Sequence, residues 1–252
     1  MPRAARAQSE TRIFHVMQRG VDRQEIFFDD TDRLKFLAIL GECKKVSGLE
    51  LFAYCLMDNH IHLLLKAGEE ELGASMRRLF SRYAGWYNLK YQRTGPLFQG
   101  RFRSEPVEDE VYFLAVFRYI HRNPVKAGLS QHPENYRWSS YFGYSGWPDG
   151  ITDTAFAMGL FPGRSALLSF LNESADDTVA DWPPVEKRRI TDEEALGILE
   201  EICGRGGAQT FWQREQEARI GMSRQLIARG LSIRQLARLT GVPVTSLRRL
   251  LT

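Results

Sequence analysis

Cysteine is scarce in this chain: Cys43, Cys55 and Cys203 are scattered over 252 positions with no C-x-x-C pair. An odd, dispersed set excludes a disulfide framework and a cysteine-built zinc site, and fits a reducing cytoplasm. Long apolar runs are missing as well; no stretch approaches the roughly 20 residues of a membrane span. The N-terminal MPRAARAQSETR is basic but has no apolar core, so it does not read as a secretory signal. Net charge is only +3, and histidine is limited to five residues. What remains, with 43% hydrophobic and 26% charged residues, is the composition of a soluble globular protein. The length suits one large domain, or one domain with a small appendage.

Hydrophobic patterning predicts a mixed architecture. Residues 11–18 (TRIFHVMQ) read as a strand, and Thr31 or Asp32 can cap a helix over 32–47 that ends at Gly48. Strands over 49–57 and 60–66, joined by Asp58-Asn59, form a hairpin. Met76, Leu79, Phe80, Tyr83, Trp86 and Tyr87 recur at helical spacing, which predicts a long helix over 70–90. Residues 101–107 read as a short strand. A helix from Asp109 to Arg122 should stop at Asn123-Pro124, since the residue before proline disfavours the helical region. This order predicts an α+β fold: a ferredoxin-like antiparallel sheet with helices on one face. A small C-terminal all-α helix-turn-helix module is expected to follow. The domain plan is 1–172, a polar linker over 173–190 with Pro183-Pro184, and a helical module over 191–252.

His60-Ile61-His62 is the most informative triplet. On a strand the two imidazoles at i and i+2 share one face while Ile61 points to the other. Two adjacent imidazoles form half of a divalent-metal site, although histidines also line strands simply as satisfied polar groups. Tyr119 and Asn123, four residues apart, share one face of the 109–122 helix and its end. An amide oxygen can be a third ligand, and a phenol one turn away would adjoin the metal. That pairing suggests phosphodiester chemistry, in which a metal polarises the phosphate and a tyrosine attacks phosphorus. A tyrosine packed in the core beside a helix-ending asparagine is the plainer alternative. A histidine-triad hydrolase is disfavoured, because the next alternate position is Leu64.

The runs YCLMDNHIHLLLK (54–66), RTGPLFQGRFRS (93–104), RYIHRNPVKAGL (118–129) and YRWSSY (136–141) together resemble the single-tyrosine HUH transposases of the IS200-like superfamily, and within it the REP-associated tyrosine transposases. The resemblance covers about residues 10–145. It implies that His60, His62 and Asn123 bind Mg2+ or Mn2+ and that Tyr119 is the nucleophile. It further implies nicking and strand transfer on single-stranded DNA with imperfect palindromic hairpins, through a covalent 5′-phosphotyrosine, in the bacterial cytoplasm at the nucleoid. One departure is Asp58, where many relatives have proline; the expected effect is a change in hairpin stiffness, although a carboxylate near the metal could alter ion preference. Arg101, Arg103, Arg118, Arg122 and Lys126 are candidate phosphate contacts. His121 reads as structural or DNA-contacting.

From Glu201 onward nine arginines face three glutamates, a local excess of +6 that suits a polyanion. Residues 191–194 (TDEE) form a capping box. Residues 231–252 follow a helix-turn-helix pattern, with Ser232 as cap, Gly241 in the turn, and Val244, Leu247, Leu250 and Leu251 buried. That leaves Thr245, Ser246, Arg248 and Arg249 facing duplex DNA. Two other readings share these features: a non-catalytic, domesticated DNA-binding regulator, and a Rep- or relaxase-like nickase. A monomer is favoured over a dimer, because the tyrosine and histidines can meet within one chain.

Overall fold

Near-continuous apolar runs build strands β1 (Ile13–Arg19), β2 (Glu50–Met57) and β3 (His60–Lys66), whose interiors are buried on both faces. The short strand β4 (Arg103–Pro106) completes a sheet of order β2-β3-β1-β4, with every neighbouring pair antiparallel. The computed structural model describes residues 9–174, 179, 191–204, 206, 211–229, 231 and 233–251, without the side chains at 228, 234, 248, 250 and 251. Helix α1 (Asp30–Ser47) joins β1 to β2, and α2 (Leu72–Lys90) joins β3 to β4, which gives the ferredoxin-like connection. The cap of α1 is Asp29 rather than Thr31 or Asp32. Asp32 sits at the third helical position, where its carboxylate reaches back to the Asp29 N–H and completes a capping box. Gly48 ends the helix in the left-handed conformation, φ +66°.

The sheet separates two apolar layers. Val16, Leu51, Tyr54, Leu56, Ile61, Leu63 and Leu65 pack against α1 and α2 through Phe36, Leu40, Met76, Leu79 and Tyr83. On the opposite face Ile13, Phe52, Ala53, Cys55, Met57 and Leu64 pack against α3 (Glu110–Lys126). The expected coverage on one face therefore describes α1 and α2 only; strands buried on both sides need a second layer. A bulge at Phe52 breaks the alternation, so Phe52 and Ala53 both join the α3 layer. Three short helices, α4 (Tyr141–Ser145), α5 (Thr154–Gly159) and α6 (Arg164–Asn172), extend that layer. They are too short for hydrophobic periodicity to mark them in the sequence.

Helix α3 does not stop at Asn123-Pro124. It continues through the buried Pro124 to Lys126, and Ala127 N–H still donates to the Asn123 carbonyl. Proline removes the hydrogen bond that Ile120 carbonyl would accept, yet the last turn is held by bonds on either side. This keeps Tyr119, Asn123 and Lys126, at i, i+4 and i+7, on one face. The segment 138–140 pairs with the outer edge of β2, through Leu56 N–H to Trp138 carbonyl and Ser140 N–H to Tyr54 carbonyl. That pairing covers an edge that would otherwise present free backbone groups.

The chain divides into two compact units, Met1–Trp182 and Pro183–Thr252. Of the linker expected over 173–190, residues 175–178 and 180–190 lie outside the described residues. The second unit holds α7 (Asp192–Cys203), α8 (Gln216–Ala228), α9 (Ile233–Thr240) and α10 (Val244–Leu251) around Leu199, Phe211, Leu226, Leu236 and Leu247. Thr191 and Glu194 make the expected capping box on α7. Gly241, at φ +69°, turns the chain between α9 and α10. Ser232 and the side chains of Arg248, Leu250 and Leu251 lie outside the described residues. Among the described residues no helix is long and apolar enough to cross a membrane.

Candidate active site

The β2–β3 hairpin and α3 bring four of the expected side chains together. His60 and His62 project from β3 with ring centroids 5.0 Å apart, on the face that α3 covers. The Asn123 amide lies between them: its Oδ1 is 3.4 Å from His60 Nε2, and its Nδ2 is 3.3 Å from His62 Nε2. The Tyr119 ring stands edge-on to His62, centroids 5.6 Å apart, and is 6% exposed. Lys126 Nζ lies 4.8 Å from the centre of the Tyr119 ring.

Hydrogen bonding assigns the tautomers. His60 Nδ1 lies 2.7 Å from Asn59 Oδ1, which can only accept, so Nδ1 carries the proton and Nε2 keeps its lone pair. That lone pair faces the Asn123 carbonyl oxygen. Two acceptors opposed at this distance suit a cation between them. His62 Nε2 faces an amide nitrogen that can only donate, so its proton sits on Nδ1 and is given to His15 Nε2 at 3.0 Å. Burial pushes the His62 pKa well down, and the neighbouring His60 and His15 reinforce the shift. A neutral imidazole is the form that binds metal. Among the described residues no three histidine, cysteine, aspartate or glutamate side chains cluster to hold a metal; the polar group beside the two imidazoles is the Asn123 amide.

His15 has no place among the residues expected from the sequence. It is fully buried on β1, bonded to His62 and 6.0 Å from the Tyr119 ring centroid. His121 is the opposite case, close in sequence but turned away. Its Nδ1–H donates to Phe117 carbonyl at 2.8 Å, and its Nε2 accepts from the Ser140 hydroxyl at 2.8 Å. It packs among Phe117, Tyr141 and Tyr144, and burial pushes its pKa down to about 4. It is a structural histidine.

Residues 8–123 match the family model for IS200-like transposases. That span is just under half of the 252 residues and lies within the first unit, where the chain is similar to IS200-like transposases. Among solved structures, this chain is similar in fold to a REP-associated tyrosine transposase bound to a REP hairpin. The two are 15% identical with a TM-score of 0.53, over 72% of this chain and 96% of that one. A candidate transposase from Deinococcus radiodurans is 17% identical, with a TM-score of 0.35 over 54% of this chain and 98% of that one. No curated protein matches the chain.

The remaining basic residues of the chain are placed unevenly. Arg118 stacks on Phe170 and faces Glu173, and Arg122 donates to Asn172 carbonyl at 2.6 Å, so both tie α3 to α6. Arg103 pairs with Glu105 on β4. Arg101 is exposed at the mouth of a cavity beside α2. The Asp58 carboxylate is engaged from α1. It accepts from Arg33 at 2.5 Å, a guanidinium held between Phe27 and Trp138. In the second unit Thr245 and Arg249 are exposed on α10 and Ser246 is half-buried. Arg229 and Arg238 of that unit are engaged by Glu201 and Asp192.

Proposed function

We propose that this chain nicks and rejoins single-stranded DNA carrying REP-like hairpins, with Tyr119 as nucleophile. The observation that carries the reading is the meeting of Tyr119 with His60, His62 and Asn123 inside one chain. The fold likeness to a hairpin-bound tyrosine transposase supports the choice of substrate.

Tyr119 Oη attacks the scissile phosphorus; a tyrosyl O–P bond forms at the 5′ side while the P–O3′ bond breaks. The phenol proton is lost in the course of attack, and the released 3′ oxygen ends as a hydroxyl. In the reverse sense a 3′-hydroxyl attacks the phosphotyrosine and restores Tyr119, so the covalent link conserves the phosphodiester and no nucleotide cofactor is consumed. His60, His62 and Asn123 fit a divalent cation: two lone-pair nitrogens and an amide that can turn its oxygen inward. Mg2+ or Mn2+ held there supplies Lewis-acid stabilisation of the phosphate's charge. Two imidazoles in the set suit Mn2+ at least as well as Mg2+, which prefers oxygen. Asn59 and His15 orient the two imidazoles by accepting their Nδ1 protons. Lys126, over the Tyr119 ring, adds positive charge beside the reacting phosphate. The second unit presents α10, with Thr245, Ser246 and Arg249, to the duplex part of the target.

The deciding experiment incubates the chain with a hairpin-bearing single strand and Mn2+ or Mg2+ and looks for a covalent protein–DNA adduct stable to denaturant. The adduct is expected with the native chain and absent with Tyr119→Phe. An adduct that persists in Tyr119→Phe refutes the nucleophile assignment, and binding with no cleavage under either metal favours the regulator.

A further inference from the structure

A cavity of about 350 Å3 opens between α2 and the segment 96–102, on the sheet face away from Tyr119. Small-molecule sites run from about 300 to 1,000 Å3, so this one has room for a single base and its sugar. Its lining combines three kinds of group. Phe80, Phe98 and Phe102 form an aromatic wall, with Phe80–Phe98 centroids 5.3 Å apart and Phe80–Phe102 6.0 Å apart. Arg77 and Arg101 are exposed at the rim. Gln18 reaches in from β1; it is 3% exposed, and its Oε1 has no hydrogen-bond partner. A buried acceptor without a donor is the least expected feature of a packed interior. None of these residues takes part in the Tyr119 site.

We propose that this cavity holds one unpaired nucleobase of single-stranded DNA, a base whose exocyclic amino group donates to Gln18 Oε1. The inference rests on the reading of single-stranded DNA as substrate. Aromatic faces supply stacking that any base can use, and the two arginines complement the flanking phosphates. Selectivity comes from the amide. Cytosine offers an N4 amino donor where thymine offers the O4 acceptor, which would set oxygen against Gln18 Oε1. Gln18 also lies three residues from His15 on β1, about 10 Å along the strand. Gln18 and His15 face opposite sides of the sheet, so a single strand running from the cavity to the Tyr119 site passes round the short edge strand β4, and the cavity sets which base stands at that distance from the cut.

The full chain is titrated, without divalent metal, into fluorescein-labelled strands of about 12 nucleotides: oligodeoxycytidine, oligothymidine and an abasic strand. Fluorescence anisotropy is expected to give about 10-fold tighter binding of oligodeoxycytidine than of oligothymidine, the lower end of one base-edge contact. The abasic strand should bind more weakly than either. Gln18→Leu is expected to bring the cytidine-to-thymidine ratio to about 1 at an unchanged melting temperature. A ratio of about 1 in the native chain, or an unchanged ratio in folded Gln18→Leu, overturns the proposal. Should Gln18→Leu not fold, photocrosslinking the native chain to oligodeoxycytidine bearing 5-bromodeoxycytidine decides: attachment at Phe98 or Phe102 supports the cavity, and attachment only elsewhere overturns it. Tyr119→Phe keeps the base preference and loses the covalent adduct, so a failed cavity leaves the nicking reading intact, and the reverse also holds.

Discussion

Replacing Ser140 by alanine tests how α3 is held to the sheet. The Ser140 hydroxyl oxygen accepts the Tyr54 N–H at 3.0 Å and lies 2.8 Å from His121 Nε2, and the residue is fully buried. Since His121 gives its only proton to the Phe117 carbonyl, Nε2 must accept, and Ser140 is the donor. Ser140→Ala therefore leaves two buried groups without partners, a backbone N–H on β2 and an imidazole nitrogen on α3. Each orphan costs about 1–3 kcal/mol, and the pair about 3 kcal/mol, because the emptied space is too small for water to serve both. Urea unfolding should show this loss as a lower midpoint at an unchanged slope. Ser145→Ala, which removes a hydroxyl bonded only to the Phe142 carbonyl, is the control and should stay within about 0.5 kcal/mol of the native chain. Adduct formation should also fall, since His121 is two residues from both Tyr119 and Asn123. A Ser140→Ala variant within about 0.5 kcal/mol of native refutes the argument that this network fixes α3.

Three further outcomes are expected. His15→Phe keeps the ring stacked on His62 but removes the acceptor of its Nδ1 proton; Mn2+ affinity, measured calorimetrically, should fall about 10–100-fold, and an unchanged affinity denies His15 its orienting role. Burial opposes the Asp29 charge, but Lys90 and the Asp32 N–H outweigh it and hold the carboxyl below its usual pKa. Its contribution is thus present above the unfolded value and lost as pH falls through the folded one. Asp29→Asn keeps a capping side chain, so it should cost at most about 1 kcal/mol at pH 7 and nothing once pH is below the carboxylate range; a difference that persists in acid rejects the ion pair as cause. Arg249→Ala, on the exposed face of α10, should lower the slope of log affinity against log salt by about 1 on duplex-flanked targets, and an unchanged slope removes that residue from the interface.

Much of the site was legible because its geometry is local. Two histidines separated by one residue on a strand must share a face, and Tyr119 and Asn123 one turn apart on a helix must do the same. The order of elements was equally readable from periods of two and 3.6. His15 was not, although it stands in an evident strand. Its partner is His62, 47 positions away, and their contact depends on β1 lying beside β3 with Met17 opposite His62. The partner of Asp58 was hidden for a related reason: Arg33, which engages its carboxylate, lies on α1, 25 positions away. Arg118 and Arg122, next to the tyrosine in sequence, point instead to α6, a helix too short to foresee.

The amino-acid sequence alone determined the strand and helix order, the pairing of residues on single elements and the likeness to IS200-like transposases, because each depends on spacing along a few consecutive residues. Tertiary structure decided what spacing cannot. It carried α3 through Pro124 and so placed Lys126 over Tyr119. It laid α3 on the face opposite α1 and α2, which closes the histidines against the tyrosine. It also left Gln18 with a buried oxygen and no donor, a property that exists only once β1, α2 and the 96–102 segment have met.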